Sequence, residues 1–337
     1  MPFIAFDCEG PLTLNDNAFE FTAHIIPKGN FFFTQISRFD DYLADIKKKP
    51  GYKAGDTLKL ILPFLKLFGA TNKLLEEFSE KTLIFLPQVE EVLPSLQRFL
   101  PTFIISTSYR PYLWALAKRL GFPMEFIFCT EVDFDKVKLS VEEMKLLEKL
   151  YNEIMNYPLI ELPRDARTPE DLSPSLRRIL DRLEEIFFEI IWNLNCGIFL
   201  REVNPVGGKE KERACQVIIE TTGIPGSEGI YCGDSITDVE AFQLLAGLGG
   251  ISISFNGNRY ALRAAEFYTL SKSAHFFKDL IEAYLKKGKV GLESLYNNKE
   301  DYEFGRIPME ETALNLLIER SEAFRKKVRG EQIGALG

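Results

Sequence analysis

Two aspartates directly follow short apolar runs and have further carboxylates close behind them. Asp7 follows residues 3–6 (FIAF), and Asp234 follows the run IYCG; Glu9 and Asp238 come soon after. Ligands of open parallel sheets bind beyond the carboxyl ends of the strands, so carboxylates at two such ends would share one crevice. Like charges that close cannot stay ionised without a cation, and Mg²⁺ prefers hard oxygen ligands. The pattern therefore predicts a magnesium site.

Hydroxyl and lysine side chains suited to phosphate occur in two other segments. Residues 102–106 form an apolar run that ends at Ser106 and is followed by Thr107 at the predicted start of a helix. Hydroxyl groups beside the backbone N–H groups of a helix N-terminus suit phosphate oxygens. Further along, a Gly-Gly turn opens a predicted helix that carries Lys209 and Lys211. A lysine there can neutralise the charge of a phosphoryl group, and either residue is a candidate.

These four segments, in this order, resemble the four motifs of the haloacid dehalogenase-like (HAD) superfamily: FDCEGPLT, FIISTS, GGKEK and GDSITD. The resemblance implies that Asp7 is a nucleophile that becomes transiently phosphorylated and that Ser106, with Thr107 beside it, binds the phosphoryl group. It also implies that Asp7, the backbone carbonyl of Glu9 and Asp234 hold Mg²⁺. Asp238 would support the metal directly or through water.

For the third motif we prefer Lys211 to Lys209, because Lys211 lies three residues before Ala214, the usual offset to the apolar face of the helix. Within the superfamily the chain resembles the phosphoserine phosphatase-like branch, with residues 126–133 and 197–206 similar to the paired strands that precede motif three. The EGPLT variant and a helical insertion are also similar to archaeal HAD-like proteins described as hydrogenase-associated.

Glu9 is a departure from this family pattern. Phosphatases of the superfamily usually carry aspartate two residues after the nucleophile, where it acts as general acid and then as general base. Glutamate can do the same work, but its extra methylene moves the carboxyl group. We therefore expect turnover to be slow or selective for certain substrates.

The surrounding elements predict how these residues are positioned. Five apolar runs, at residues 3–6, 102–106, 126–130, 229–233 and 250–255, are typical of buried parallel strands. Several are followed by helical patterns, such as residues 110–120 before Gly121. This alternation predicts an α/β fold with a doubly wound, Rossmann-like parallel sheet, which the resemblance identifies as a core of the HAD type.

Long segments of different character interrupt and follow this core. We predict that residues 1–13, 84–137 and 196–275 form the catalytic core. Residues 14–83 are predicted to be a mainly helical cap, residues 138–195 a helical insertion and residues 276–337 a C-terminal helical extension. The insertion has a clear helical signature, with a capping box at Ser140 and Glu143 and an N-cap at Ser173. We expect its apolar stripe to pack against the rest of the protein.

The composition of the chain limits the cellular compartment and the binding partners that we expect for the protein. The 337 residues carry a formal charge of −8, which argues against a nucleic-acid or anionic-membrane surface. The five cysteines are scattered and odd in number, which disfavours both disulfides and a thiolate zinc site. There is no apolar run of membrane-spanning length and no signal-peptide pattern. We therefore expect a cytoplasmic protein without a nucleic-acid or membrane partner.

The leading functional hypothesis is Mg²⁺-dependent hydrolysis of a small phosphorylated metabolite through an aspartyl-phosphate intermediate. One alternative is a phosphotransferase that passes the same phosphoryl group to an alcohol. Another is a weakly catalytic protein-assembly module with a protein partner or an oligomeric state. The residues name no particular phosphomonoester.

Overall fold

A computed structural model describes residues 1–296 and 301–336. Its centre is a seven-stranded sheet in the order β3-β2-β1-β4-β5-β6-β7, in which only the edge strand β7 runs antiparallel to its neighbour. The strands are β1 (Phe3–Phe6), β2 (Thr102–Tyr109), β3 (Ile127–Thr130), β4 (Gly229–Gly233), β5 (Ile251–Phe255), β6 (Phe267–Ser271) and β7 (Tyr302–Arg306). The predicted α/β doubly wound sheet is confirmed.

The α-helices, in chain order, are α1 (Asn17–Ile25), α2 (Gly29–Asp41), α3 (Thr57–Leu60), α4 (Leu62–Leu67), α5 (Asn72–Thr82), α6 (Val89–Phe99), α7 (Arg110–Leu120), α8 (Val141–Asn156), α9 (Pro174–Glu185), α10 (Ile198–Glu202), α11 (Lys209–Thr222), α12 (Val239–Gly247), α13 (Arg259–Ala264), α14 (His275–Lys287) and α15 (Glu311–Arg329). No helix in the described part of the chain is both long and apolar enough to cross a membrane.

Helices cover both faces of the sheet because side chains alternate along each strand. In β1, Ile4 and Phe6 pack towards α6, α7 and α14, whereas Phe3 and Ala5 pack towards α11 and α12. β1 lies between β2 and β4, in the interior of the sheet. Its carboxyl end therefore opens between the two strands that carry motifs two and four.

The helical segments before and after β2 and β3 share one hydrophobic core. Phe187, which follows α9, is fully buried, with its ring centroid 5.8 Å from that of Phe39 in α2 and 6.1 Å from that of Phe64 in α4. The apolar stripe of the 138–195 insertion thus packs onto the 14–83 segment, as expected. The predicted capping box at Ser140 and Glu143 is also present.

Two secondary-structure predictions were wrong. Residues 197–206, predicted to resemble a strand, contain α10 instead. The C-terminal extension, predicted to be helical, also contributes β7, which pairs with β6 in the sheet. Residues 297–300 and Gly337, which belong to the same predicted extension, lie outside the described residues.

The 14–83 segment joins the core through two short backbone segments, residues 12–14 and 84–86, which pair in antiparallel fashion to form what we call the crossing. Leu14 N donates a hydrogen bond to Ile84 O, and Leu86 N donates one to Leu12 O, each at 2.9 Å. An isolated antiparallel bridge pairs Thr13 with Phe85 between them. This crossing includes the last residues of the first motif, Leu12 and Thr13, and so joins that motif directly to the 14–83 segment.

Candidate active site

Asp7 lies immediately after β1 and is held on every side. Its backbone N–H donates to Cys232 O at 2.8 Å, the Cys8 N–H donates to Asp7 Oδ1 at 2.7 Å, and Lys211 Nζ lies 2.7 Å from Asp7 Oδ2. Burial raises the pKa of the Asp7 carboxyl group to about 7, against the opposing effect of the Lys211 ammonium group. These contacts thus fix the orientation of the Asp7 carboxylate, and a further cation nearby would stabilise its ionised form.

Lys211 sits between two carboxylates. It is completely buried at the start of α11, 2.7 Å from Asp7 and 2.7 Å from Asp238. Burial by itself would lower the pKa of Lys211, but the two carboxylates outweigh it and the pKa is raised, so the side chain stays charged. Lys209, the alternative for motif three, is exposed at the first position of the same helix.

Asp238 accepts hydrogen bonds at both carboxylate oxygens. Its Oδ1 accepts from Lys211 Nζ at 2.7 Å and from the Tyr231 hydroxyl at 2.6 Å, and its Oδ2 accepts from the N–H groups of Asp234 and Ser235 at 2.9 and 3.0 Å. A metal ion at Asp238 would have to displace one of these donors. In this arrangement Asp238 orients Lys211 and the loop after β4.

Asp234, at the end of β4, is paired with two arginines of α15. Arg325 Nη1 contacts Asp234 Oδ2 and also donates to the Asp234 carbonyl oxygen at 3.0 Å, while Arg329 Nη1 lies 3.2 Å from the same Oδ2. All three side chains are buried. The sequence prediction missed both arginines; their only signal was the i, i+4 spacing, which places them on one face of a helix.

The residues fit a hard divalent cation. Ligand oxygens of Asp7, Asp234 and Asp238 all lie within 4.8 Å of one another, and the three residues are buried. Gly10 has a backbone φ of +110°, and a Cβ atom there would collide with the Asp234 carboxylate. Glycine thus lets the loop after Asp7 lie directly against Asp234. Converging carboxylates in a tight, buried site are the ligands that suit Mg²⁺.

Glu9 points towards the first helix of the 14–83 segment. Its Oε1 accepts a hydrogen bond from the N–H group of Asn17 at 2.7 Å, at the first turn of α1, where Asp16 is the N-cap. Burial of the carboxyl group and the nearby Asp16 charge raise the pKa of Glu9 well above its ordinary value. A pKa shifted in this direction suits a carboxyl group that donates a proton.

The residues of motif two lie at the irregular end of β2. The strand runs on to Tyr109 with a register shift after Ile105, so Thr107 lies within β2 and not, as the sequence predicted, at the start of a helix. Ser106 is buried and its Oγ accepts from the N–H group of Ser108 at 3.2 Å. Thr107 instead donates its hydroxyl to Val206 O at 3.1 Å, which ties motif two to the turn before α11.

A cavity of about 110 Å³ lies over these groups. Three parts of the chain line it: the ends of β1, β2 and β4, the 14–83 segment, and the C-terminal helix α15. Most of its charged lining is acidic, and its cations come from α15; the charged residues are Asp7, Glu9, Asp16, Asp40, Asp41, Asp234, Arg325 and Arg329. The cavity is the size of a small ligand.

The structure brings most of the predicted site residues to one place, but four of them lie outside the cavity lining: Ser106, Lys209, Lys211 and Asp238. Asp7, Glu9, Asp234 and Thr107 line the cavity directly. Lys211 and Asp238 are buried behind Asp7, linked to it by the ion pairs described above. Lys209 lies on the surface.

The mostly parallel sheet, with the predicted site residues at the carboxyl ends of its strands and at the start of α11, defines a doubly wound α/β protein. The gene product AF1437 from Archaeoglobus fulgidus has a solved structure that is 30% identical in sequence, with a TM-score of 0.85 over 100% of this chain and 99% of that one. The chain belongs to the family of this archaeal protein.

Two other solved structures are more distant. A phospho-aspartyl intermediate analogue of phosphoserine phosphatase is 13% identical with a TM-score of 0.48, and an apo phosphoserine phosphatase is 14% identical with a TM-score of 0.45. Each match covers 86% of this chain and 99% of the other, at a level of similarity too low to carry a conclusion. No protein-family model and no curated protein matches the sequence.

Proposed function

We propose that the protein is a Mg²⁺-dependent phosphatase that hydrolyses a small phosphomonoester through an aspartyl-phosphate on Asp7. The observation that carries this proposal is the buried ion-pair chain from Asp7 through Lys211 to Asp238, which fixes one carboxylate oxygen of Asp7 at the carboxyl end of β1. A carboxylate so oriented, beside a lysine that can offset phosphoryl charge, has the parts that phosphoryl transfer requires.

In the first step a carboxylate oxygen of Asp7 forms a bond to phosphorus while the bond from phosphorus to the ester oxygen breaks. Glu9 gives its proton to the departing alcohol oxygen, a role that the raised pKa of its carboxyl group supports. In the second step a water oxygen bonds to phosphorus, the bond to Asp7 breaks, and Glu9 takes up the proton of the water. Inorganic phosphate then leaves.

Other side chains of the site would offset the charge of the phosphoryl group and hold it in position during these steps. Lys211 would offset the negative charge on the phosphoryl oxygens, and Ser106 and Thr107, near the end of β2, would bind them. Asp7, the Glu9 carbonyl and Asp234 would hold Mg²⁺, with Asp238 supporting it directly or through water. When bound, the ion supplies positive charge that polarises the phosphoryl group.

The size and cover of the cavity support a small substrate. Its volume of about 110 Å³ leaves little room beyond a phosphoryl group and a short substituent. The 14–83 segment and α15 line its walls and would shield the phosphoenzyme from bulk water. A small phosphorylated metabolite fits this space, and phosphoserine is the compound that the resemblance to the phosphoserine phosphatase-like branch suggests testing first.

The test is phosphate release from p-nitrophenyl phosphate and from a panel of small phosphomonoesters that includes phosphoserine, with and without Mg²⁺. We expect Mg²⁺-dependent turnover that Asp7→Asn abolishes. Addition of a simple alcohol distinguishes hydrolysis from phosphotransfer, because a phosphotransferase would form a new phosphate ester. A folded, Mg²⁺-binding wild type that turns over no ester would overturn the proposal in favour of the assembly module.

A further inference from the structure

The two arginines of α15 occupy the carboxylate that the proposed function assigns to the metal. Asp234 Oδ2 contacts both Arg325 and Arg329, and the three side chains are at least nine-tenths buried. Mg²⁺ cannot approach the same oxygen without weakening these ion pairs, since the cations would repel one another at short distance. The arginines and the metal are therefore competitors for Asp234.

Displacing the two arginines from Asp234 would leave them without their present partner. The carboxylates of Asp7 and Asp238 are already paired with Lys211, and both arginines are buried. A buried guanidinium group without an anionic partner is costly. A phosphoryl group, which is a dianion near neutral pH, can pair with both arginines.

Arg325 has a donor ready for such an anion. Its Nη1 is used by Asp234 and its Nη2 donates to Leu336 O at 3.4 Å, but its Nε is buried and has no hydrogen-bond partner among the residues that the structure describes. Arg325 also lines the cavity. A buried donor without an acceptor is unfavourable, and the planar guanidinium group suits phosphoryl oxygens.

Of the two arginines, Arg329 is held in place by hydrogen bonds to the backbone. Its Nε donates to Leu14 O and its Nη2 to Asn15 O, each at 3.0 Å, where the chain leaves the core for the 14–83 segment. These bonds leave Nη1 directed at Asp234. The guanidinium group is thus held at the cavity wall whether or not Asp234 is its partner.

We propose that Arg325 and Arg329 hold Asp234 until Mg²⁺ arrives and then bind the dianionic phosphoryl group, so that metal and substrate bind cooperatively. The inference rests on the proposed function, whose phosphoryl site it completes with two residues from outside the four motifs. It assigns α15 to substrate binding as well as to structure.

The test is isothermal titration of Mg²⁺ into the wild-type protein with and without inorganic phosphate, which measures binding without turnover. We expect phosphate to tighten Mg²⁺ binding at least about tenfold, within the range of ordinary coupling between sites. In Arg325→Gln and Arg329→Gln, Mg²⁺ alone should bind more tightly than in the wild type, and the effect of phosphate should largely disappear. Arg320→Gln, an exposed arginine of the same helix that pairs with Glu303, is the matched control.

Failure of the inference and failure of the function give different results. Equal Mg²⁺ affinity with and without phosphate in the wild type would refute the inference, whether or not the glutamine variants fold, and so would glutamine variants that keep the wild-type coupling. Arg325→Lys keeps the charge without the planar fork and should retain part of the coupling. Coupled binding without turnover of any ester would instead refute the phosphatase, and absence of Mg²⁺ binding would overturn both.

Discussion

At the scale of single residues, the charged side chains of the site fix one another. Lys211 is oriented by Asp238, which is itself held by the Tyr231 hydroxyl, and it in turn orients Asp7. The sequence could predict that these residues meet, because each follows a strand end or opens a helix. It could not predict the arginine partners of Asp234, since nothing local distinguishes a buried arginine of α15 from a solvated one.

The extra methylene of Glu9 has a structural counterpart at this scale. The longer side chain reaches the N–H group of Asn17 in α1, so the proposed acid is held by the 14–83 segment. Glu9→Gln keeps a hydrogen-bond acceptor there but has no proton to give. We predict a loss of about 10²–10⁴-fold in turnover of alkyl phosphates.

The same variant should lose much less turnover with p-nitrophenyl phosphate, whose leaving group is stable without protonation. Steady-state rates on the two kinds of ester measure this difference. Equal losses on both esters would argue against Glu9 as the acid.

Lys211 and Lys209 form a matched pair for mutation. Lys211→Gln leaves the buried carboxylates of Asp7 and Asp238 without their cation, which should lower the free energy of unfolding by about 3–5 kcal/mol. Lys209→Gln changes an exposed residue of the same helix and should alter it by no more than about 0.5 kcal/mol. Urea unfolding of the two variants decides the matter, and similar stabilities would contradict the assignment of Lys211 to the site.

At the scale of helices and strands, predictions succeeded where the sequence pattern was strong and failed where it was short. The five apolar runs became strands, and residues 110–120 became α7 with Gly121 at its C-terminal cap in a left-handed conformation. β7 was missed because an edge strand with the sequence YEFGR is half polar. The short apolar run in residues 197–206 is compatible with either a strand or a buried helix. In the folded protein it forms the helix α10, so tertiary packing and not the local pattern determines its structure.

Packing between the two helical insertions gives a prediction at this scale. Phe187 is fully buried against Phe39 and Phe64, so Phe187→Ala should lower the free energy of unfolding by about 3–5 kcal/mol. Phe99→Ala removes a ring that is 68% exposed and should have little effect. Chemical denaturation followed by circular dichroism compares the two variants. Equal stability would mean that the insertion packs independently of the 14–83 segment.

The end of α2 should make stability depend on pH. Asp40 accepts hydrogen bonds from Tyr52 at 2.6 Å and from the Gly55 N–H at 2.9 Å, and burial raises its pKa to about 7. The folded protein therefore keeps a proton that the unfolded chain releases above about pH 4. The stability due to this proton is complete below that pH and is lost as the pH rises through about 7.

Asp40→Asn removes this ionisation and should flatten the profile. Between pH 5 and pH 8, the variant should gain roughly 2 kcal/mol in the free energy of unfolding relative to the wild type. Any lost hydrogen bond adds an offset that does not vary with pH. Urea titrations at several pH values measure the difference, and parallel profiles would show that Asp40 does not titrate in this range.

At the scale of the whole molecule, three distant parts of the chain meet at one cavity. The core supplies Asp7 and Asp234, the 14–83 segment covers them, and Arg329 of α15 bonds to Leu14 and Asn15 where these two parts join. The sequence predicted the first two contributions. The third depends on where an amphipathic helix docks, which its pattern alone does not determine.

This meeting point gives a prediction about dynamics. Arg329→Ala removes the donors to Leu14 O and Asn15 O, so local opening at the crossing between residues 12–14 and 84–86 should become more frequent. Hydrogen exchange of the Leu14 and Leu86 amides should be faster in this variant, while Arg320→Ala should leave it unchanged. Unchanged exchange in both variants would show that α15 does not hold the crossing closed.

The contact between α15 and Asp234 also sets an order of events during protein synthesis. All four motifs leave the ribosome before Arg325 and Arg329 are made, since translation runs from the N-terminus. Until then, Asp234 lacks the cations that balance it in the folded protein. A nascent chain that has completed β5 therefore carries every motif residue but not the finished pocket. Catalytic competence on this account begins only when α15 has been translated and docked.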